Sequence, residues 1–249
     1  MAVNLMRLDK FISGLTGMSR KDVKAALSHG RVSVDGKPAR DPAAQVDERS
    51  ACVTLDGRAL IFRKHRHIML NKPAGVLTAT EDKRQRTVMD LLPEELLARD
   101  LTPIGRLDKD TTGLLLLTTD GQLAHRLISP RYHVEKEYLA RVNGELDASD
   151  IEAFARGMQL SDFTALPAQL QIVEPSLARV VLQEGKYHQV KRMLASRGKP
   201  VLELERVRMG AIELDRSLSR GEARALSDGE IAGLYRSAGL EDEDNSGGA

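Results

Sequence analysis

Residues 104–121 read IGRLDKDTTGLLLLTTDG and set two carboxylates, Asp108 and Asp110, just ahead of four consecutive leucines. The leucine run is short, unbroken and closed by an Asp-Gly turn at 120–121, which predicts a buried strand. Charge placed against the most apolar run of a chain either shapes a loop or does chemistry. Taken alone, the stretch favours shaping. Asp110 before Thr-Thr-Gly suits a turn cap, Asp120 suits a turn, and Asp108 can pair with Arg106 or Lys109 for little gain.

Working outward, HIMLNKPAGVL (67–77) predicts a strand running into a Pro/Gly turn, and TVMDLLPEELLARD (87–100) a short helix. QLAHRLISP (122–130) predicts another short helix. KEYLARVNGEL, ALPAQLQIVEP and LARVVLQEGK predict strands, and YHQVKRMLASRG a helix closed by Gly198. Short strands with few helices between them indicate an α+β fold with a mainly antiparallel sheet.

The N-terminus is a separate module. MRLDKFISGL places Leu8, Phe11, Ile12 and Leu15 on one helical face. A second helix opens on a capping-box pattern, Ser19 to Asp22, buries Val23, Ala26 and Leu27, and stops at Gly30. Two phrases, RVSVDGKPA and CVTLDGRAL, each predict a hairpin around Asp-Gly. The expected organisation is a module at 1–60, a solvated basic linker at 61–66, a larger domain at 67–238 and a disordered acidic tail at 239–249. Residues 1–66 hold 13 Lys/Arg against 7 Asp/Glu, a net of +6; the remainder holds 24 against 29, a net of −5. A basic module on a near-neutral body implies a polyanion partner.

The 249 residues are 41% apolar and 29% charged, the balance of a soluble globular protein. The chain has no apolar run of membrane-spanning length and no apolar signal core, so neither a membrane nor export is expected. The single cysteine, Cys52, excludes an internal disulfide framework and fits a reducing cytoplasm. One cysteine and six scattered histidines also argue against structural zinc.

Two families share features of the central stretch. Asp108, Asp110 and Thr112 spell D-x-D-x-T, which resembles the nucleophile loop of haloacid-dehalogenase-type magnesium phosphatases. In that family the apolar strand precedes the motif, whereas here it follows. GRLDKDTTGLLLLTTDG more closely resembles the signature of the RsuA-type pseudouridine synthases that modify ribosomal RNA. MLNKPAGVL is similar to that family's first motif, SPRYHVEKEYLARV to its tyrosine-bearing motif and EGKYHQVKRML to its basic motif, in the family's order. The first 60 or so residues resemble the alpha-L RNA-binding domain shared with a ribosomal small-subunit protein. The wording of the last two motifs is nearest to the enzyme acting on small-subunit (16S) rRNA, with the large-subunit enzymes as the alternative.

The resemblance implies an isomerisation that breaks the N1–C1′ bond of a uridine and joins C5 to C1′. It needs no redox cofactor, metal or ATP. A carboxylate stabilises or traps the electron-poor sugar carbon, as in glycoside cleavage, and the family's nucleophile maps onto Asp108. A nearby cation must keep that carboxylate ionised in an apolar pocket. The helical wheel of YHQVKRML groups Tyr187, Val190 and Leu194 in one stripe, with Lys191 at its edge and Arg192 farther out. Lys191, to which the family's basic motif also maps, is therefore the expected partner of Asp108, and Arg192 is expected at phosphate. Tyr138 is implied under the flipped uracil, and Arg106 at the mouth. Arg7, Lys10, Arg20, Lys21, Lys24 and Arg31 of the basic module are candidate RNA contacts. The expected partner is ribosomal RNA or a small-subunit assembly intermediate, and the expected state a monomer. A non-catalytic RNA-binding assembly factor would explain the basic module but not the set of Asp108, Tyr138 and Lys191. Aromatics are only 3% of the chain, too few for an extended stacking surface, so RNA would be gripped by phosphate and shape.

Overall fold

The computed structural model describes residues 5–48, 51–60 and 64–241. The chain divides between Lys64 and His65 into two compact units.

In the first unit, β1 (Leu5–Arg7) leads into α1 (Leu8–Thr16) and α2 (Arg20–Ser28). Then come β2 (Val32–Val34), β3 (Lys37–Pro38), β4 (Gln45–Asp47), β5 (Val53–Leu55) and β6 (Arg58–Leu60). Leu8, Phe11, Ile12, Val23, Ala26 and Leu27 form the core with Val32, Val46 and Val53. The Ser19 hydroxyl accepts the Asp22 N–H at 3.2 Å, capping α2. Asp35-Gly36 and Asp56-Gly57 have positive φ at both positions, the geometry that closes a two-residue hairpin. The two hairpins also pair through β2 and β5 into one four-stranded sheet. The pairing of β1 with β4 has no counterpart in the sequence reading.

The second unit runs β7 (His67–Lys72), β8 (Thr102–Pro103), β9 (Thr112–Thr118), α3 (Gly121–Ile128), β10 (Lys136–Val142), α4 (Ala148–Arg156), β11 (Met158–Gln159) and β12 (Thr164–Ala165). It continues with β13 (Gln169–Glu174), β14 (Leu177–Leu182), α5 (Gln189–Ser196), β15 (Val201–Met209), β16 (Ile212–Glu213), β17 (Ala223–Ala225) and α6 (Asp228–Ser237). The main sheet has the order β13-β14-β10-β15-β9-β7-β17, with β16 on β15 and β8 on β9. Every pairing is antiparallel except β15 with β9. That junction is short, with Glu205 beside Thr112 and Arg206 beside Gly113. It is a seam between two antiparallel halves. Gly113 sits on it with φ +96°, and a Cβ there would fall on the Arg206 carbonyl oxygen. No other residue type fits.

The leucine run is a strand covered on both faces. Leu114 and Leu116 join one core cluster, which α3 and α6 cover; Leu115 and Leu117 join another. Alternate side chains point to opposite faces, so a strand sandwiched between two cores needs an unbroken apolar run. Asp120 caps α3, accepting the N–H groups of Gln122 and Leu123, and also accepts the Tyr235 hydroxyl at 2.7 Å.

Three expectations change. Residues 87–100 form two short 3-10 helices, Val88–Leu91 and Glu94–Leu96, because Pro93 lacks the N–H that one continuous helix requires. The basic stretch at 64–66 is not all solvated linker: Arg66 donates to the carbonyls of Glu95 and Leu97. Residues 61–63 lie outside the described residues. Leu240, expected in a disordered tail, packs on the core and its N–H donates to the Tyr235 carbonyl; the rest of that expectation, at residues 242–249, lies outside the described residues.

Two buried cations carry no hydrogen-bond partner at one end. Lys136 Nζ has none, and Arg206 uses Nε on the Leu114 carbonyl but leaves Nη2 without one. Burial first, then the neighbouring Arg206 charge, pushes the Lys136 ammonium down to about 8. A lysine depressed in the fold destabilises it fully below that value and less as pH climbs toward its unfolded value near 10.4. Lys136→Met is therefore expected to raise unfolding stability at pH 7, by up to about 3 kcal/mol. The gain should shrink between pH 8 and pH 10.5 in urea titrations. A gain that stays constant with pH would mean the ammonium is not the cause.

Candidate active site

The loop before β9 is held from the KPAGVLT segment after β7. Lys72 is fully buried, and its Nζ donates toward the carbonyls of Pro73, Asp108, Lys109 and Thr111 at 3.0–3.2 Å. Gly75 N–H donates to the Lys109 carbonyl at 2.7 Å. Thr78 clamps Leu107 in both directions, its hydroxyl donating to the carbonyl and accepting the N–H. Burial pulls the Lys72 ammonium down to about 8, against the opposing pull of Asp110 and Asp108. The first motif thus works by gripping the backbone of the second.

So anchored, the Asp108 carboxylate stands at the seam of the sheet. Lys191 Nζ, from α5, lies 3.2 Å from Asp108 Oδ2 and 2.5 Å from Asp110 Oδ1. His188 Nε2 lies 3.4 Å from Asp108 Oδ1, and the Thr111 hydroxyl donates to Asp108 Oδ2 at 3.4 Å. The Asp110 carboxyl is held below its usual range by the Lys191 hydrogen bond, against the effect of burial. Asp110 is therefore more than a turn cap, because it shares the lysine with Asp108. The ammonium bridges the two carboxylates.

Tyr138 faces the same cleft from β10, together with Arg106, Leu107, Leu182, Lys186, Gln189, Val190 and Leu204; the space, with its open mouth, is about 420 Å³. The tyrosine is half-buried between two core clusters, which fixes its ring. Arg106 is exposed at the cleft. The arrangement brings Asp108, Lys191, Tyr138 and Arg106 together and leaves Arg192 out. Arg192 pairs with Asp162 and Ser161 and lies over the Phe163 ring at 4.8 Å.

The wheel reading placed the helix start too early. α5 begins at Gln189, so Val190, Met193 and Leu194 face inward while Tyr187 is exposed. His188, Lys72 and Thr111 were absent from the sequence reading. The YHQ wording could have flagged His188, but Lys72 needed the tertiary fold. In the first unit Lys10, Arg20, Lys21 and Lys24 are exposed, while Arg7 pairs with Asp9 and Arg31 with Asp56.

Lys191→Met is expected to slow single turnover by roughly 10- to 150-fold, the worth of about 1.5–3 kcal/mol for a charge-assisted contact. Arg192→Met, which breaks only the contacts to Asp162, Ser161 and Phe163, should leave the rate near wild type. If Arg192→Met were the slower of the two at saturating enzyme, the assignment of the cation would fail.

Comparison with known proteins points the same way. Residues 66–196 match the RNA pseudouridylate synthase family, and residues 6–50 match the S4 domain. The chain is 44% identical to an uncharacterized RNA pseudouridine synthase, YtzG, of Bacillus subtilis, over 91% of this chain and 97% of that one. It is 43% identical to the ribosomal small subunit pseudouridine synthase A of Escherichia coli K12, over 92% of this chain and 100% of that one. A crystal structure of a pseudouridylate synthase superposes with a TM-score of 0.65 at 35% identity, covering 92% of this chain and 99% of the other. With an S4 domain ahead of a catalytic domain that carries an aspartate on the loop into β9, the chain belongs to the RNA pseudouridine synthase family.

Proposed function

We propose that this enzyme converts one uridine of small-subunit ribosomal RNA to pseudouridine, with Asp108 as nucleophile. The observation that carries the reading is the Asp108 carboxylate at the cleft, 3.2 Å from Lys191 and facing the same space as Tyr138. The names of the relatives from Escherichia coli and Yersinia pestis, both ribosomal small subunit pseudouridine synthase A, support that substrate over large-subunit rRNA. Lys191 keeps the carboxylate paired until substrate enters. Tyr138 stacks under the extruded uracil, and Arg106 meets RNA at the mouth. The leucine-backed loop keeps water from intercepting the cleaved sugar. The enzyme works in the cytoplasm as a monomer, on rRNA or on a small-subunit assembly intermediate. Among the described residues no helix is long and apolar enough to cross a membrane, and no cluster of His, Cys, Asp and Glu could hold a metal ion.

Incubation with unmodified small-subunit rRNA, followed by carbodiimide primer extension, tests the reading. A single new stop in that RNA supports it; modification only of large-subunit rRNA would overturn the substrate assignment.

The S4 unit supplies sequence-independent grip. Arg20, Lys21 and Lys24 are exposed on α2, whereas Arg7 is paired with Asp9 and Arg31 with Asp56. Replacing all three with Gln should flatten the dependence of log affinity on log salt by about 2, given about 0.7–0.9 per phosphate contact. An unchanged slope across 50–300 mM salt (on the order of the usual range for such series) would remove α2 from the RNA interface.

A further inference from the structure

The loop between β14 and α5 carries a ring pair that the chemistry above leaves unused. Tyr187 stacks on His188 with centroids 3.8 Å apart and planes 17° apart. Tyr187 is 75% exposed, the one exposed residue among the four tyrosines. One of its faces is covered by the imidazole, and most of the ring is left to solvent.

The pair is built in rather than loosely hung. His188 adopts a left-handed conformation, φ 51° and ψ 31°, uncommon for a residue with a side chain. This bend lets His188 turn inward to Asp108, at 3.4 Å, while its neighbour stays outside. Buried Gln189 staples the loop from both sides: its Oε1 accepts the Lys186 N–H at 2.9 Å, and its Nε2 donates to Glu184 Oε1 at 2.6 Å. Glu184 Oε1 in turn accepts the Leu166 N–H. A ring on a fixed backbone loses little freedom when a ligand stacks on it. Exposed Lys186 and Arg106 line the active-site cleft with His188, and Tyr187 stands between Lys186 and His188 in the chain, just outside that lining, so the ligand that approaches is anionic.

A flat, exposed, preorganised ring beside cations, one ring away from the nucleophile, matches a single-stranded nucleic acid better than any other polyanion. We infer that Tyr187, backed by His188, is a stacking platform for the nucleobase adjacent to the uridine that is isomerised. The platform rests on the proposed function, since it presumes that an RNA uridine reaches Asp108. It adds a second base contact to the one made by Tyr138. It also lets a chain poor in aromatics read the neighbourhood of its target by stacking.

The test is a double-mutant cycle on binding and single-turnover rate. The substrates are small-subunit rRNA fragments containing the target uridine, intact or with an abasic nucleotide at the position before or after it. The enzymes are wild type, Tyr187→Phe, Tyr187→Leu and Tyr187→Ala. Wild type and Tyr187→Phe should lose about tenfold in affinity for one of the two abasic fragments, the usual worth of one stacked base. Tyr187→Ala and Tyr187→Leu should start about tenfold weaker on the intact fragment and lose nothing further at that position. Equal abasic penalties in wild type and Tyr187→Ala at both positions would overturn the platform while leaving the synthase intact. So would full affinity of Tyr187→Ala for the intact fragment, which would assign the exposed ring to a protein partner instead. Absence of pseudouridine from wild type on the intact fragment would instead take down the proposed function, and the platform with it.

Discussion

Asp108→Asn is expected to abolish pseudouridine formation, with a loss of about 10⁴-fold or more, the scale seen when a covalent catalyst is removed. Asparagine keeps the shape of the side chain and can still accept from the Thr111 hydroxyl, so the loop stays in place. It cannot supply a negative charge to an electron-poor sugar carbon, and it is a poor nucleophile. RNA affinity, set by phosphates elsewhere, should not change. Asp110→Asn is the informative companion. Its carboxylate is largely exposed and shares Lys191 with Asp108, so asparagine leaves the lysine to Asp108 alone and turnover stays near wild type. Tritium release from C5-labelled uridine in rRNA measures both. A phosphatase-like mechanism needs both substitutions to be severe, and a purely structural loop needs neither to act beyond stability. An active Asp108→Asn protein, free of wild-type enzyme, would falsify the nucleophile assignment.

Lys72→Met has the second-largest expected effect, and it separates activity from stability. The substitution removes the donor shared by four carbonyls around the aspartate loop. Leaving buried acceptors without a donor costs about 1–3 kcal/mol each. Two effects soften the loss. The Lys109 carbonyl keeps the Gly75 N–H and the Asp108 carbonyl keeps the Thr111 N–H. Removing a buried ammonium whose pKa has been pushed to about 8 also relieves its desolvation. The net loss of stability is expected at about 1–3 kcal/mol, visible as a lower urea midpoint. Turnover should fall further, by about 100-fold, because displacing a reacting group by about 1 Å is enough for that. A variant that loses stability in that range yet turns over at the wild-type rate would show that the lysine supports the fold and not the geometry of Asp108.

The parts of the fold that are local in sequence were legible. The two hairpins follow from Asp-Gly pairs, and β9 from its leucines, since each depends on neighbours within a few residues. That Asp108, Tyr138 and Lys191 come together could be expected because each sits in a motif that reads as a unit. What the sequence hid depends on distant strands coming together. Lys72 reads as an ordinary lysine before a proline until the loop of 108–111 folds over it. Arg192 reads as a free cation until Asp162, thirty residues away, reaches it. The start of α5 was misplaced because periodicity continues through YH into the helix, whereas the left-handed His188 breaks the chain direction there. The antiparallel character of the sheet was readable; its one parallel junction was not, because β9 and β15 are separated by most of the domain.

That junction has a mechanical consequence. Across the seam the backbone meets at only two residue pairs, reinforced by Arg206 Nε on the Leu114 carbonyl, by the Thr112 hydroxyl on the Leu204 carbonyl, and by a shared core in which Met69, Leu114 and Leu116 of one half join Met209 and Ile212 of the other. Asp108 travels with one half, while Tyr138, His188 and Lys191 travel with the other. A slide along the seam would alter the gap between them and would have to repack the shared core, so the same side chains that hold the sheet together hold the spacing of the site. The joint that closes the sheet and the gauge that sets the distance from Asp108 to its partners are then the same place, and Gly113 permits the close approach there.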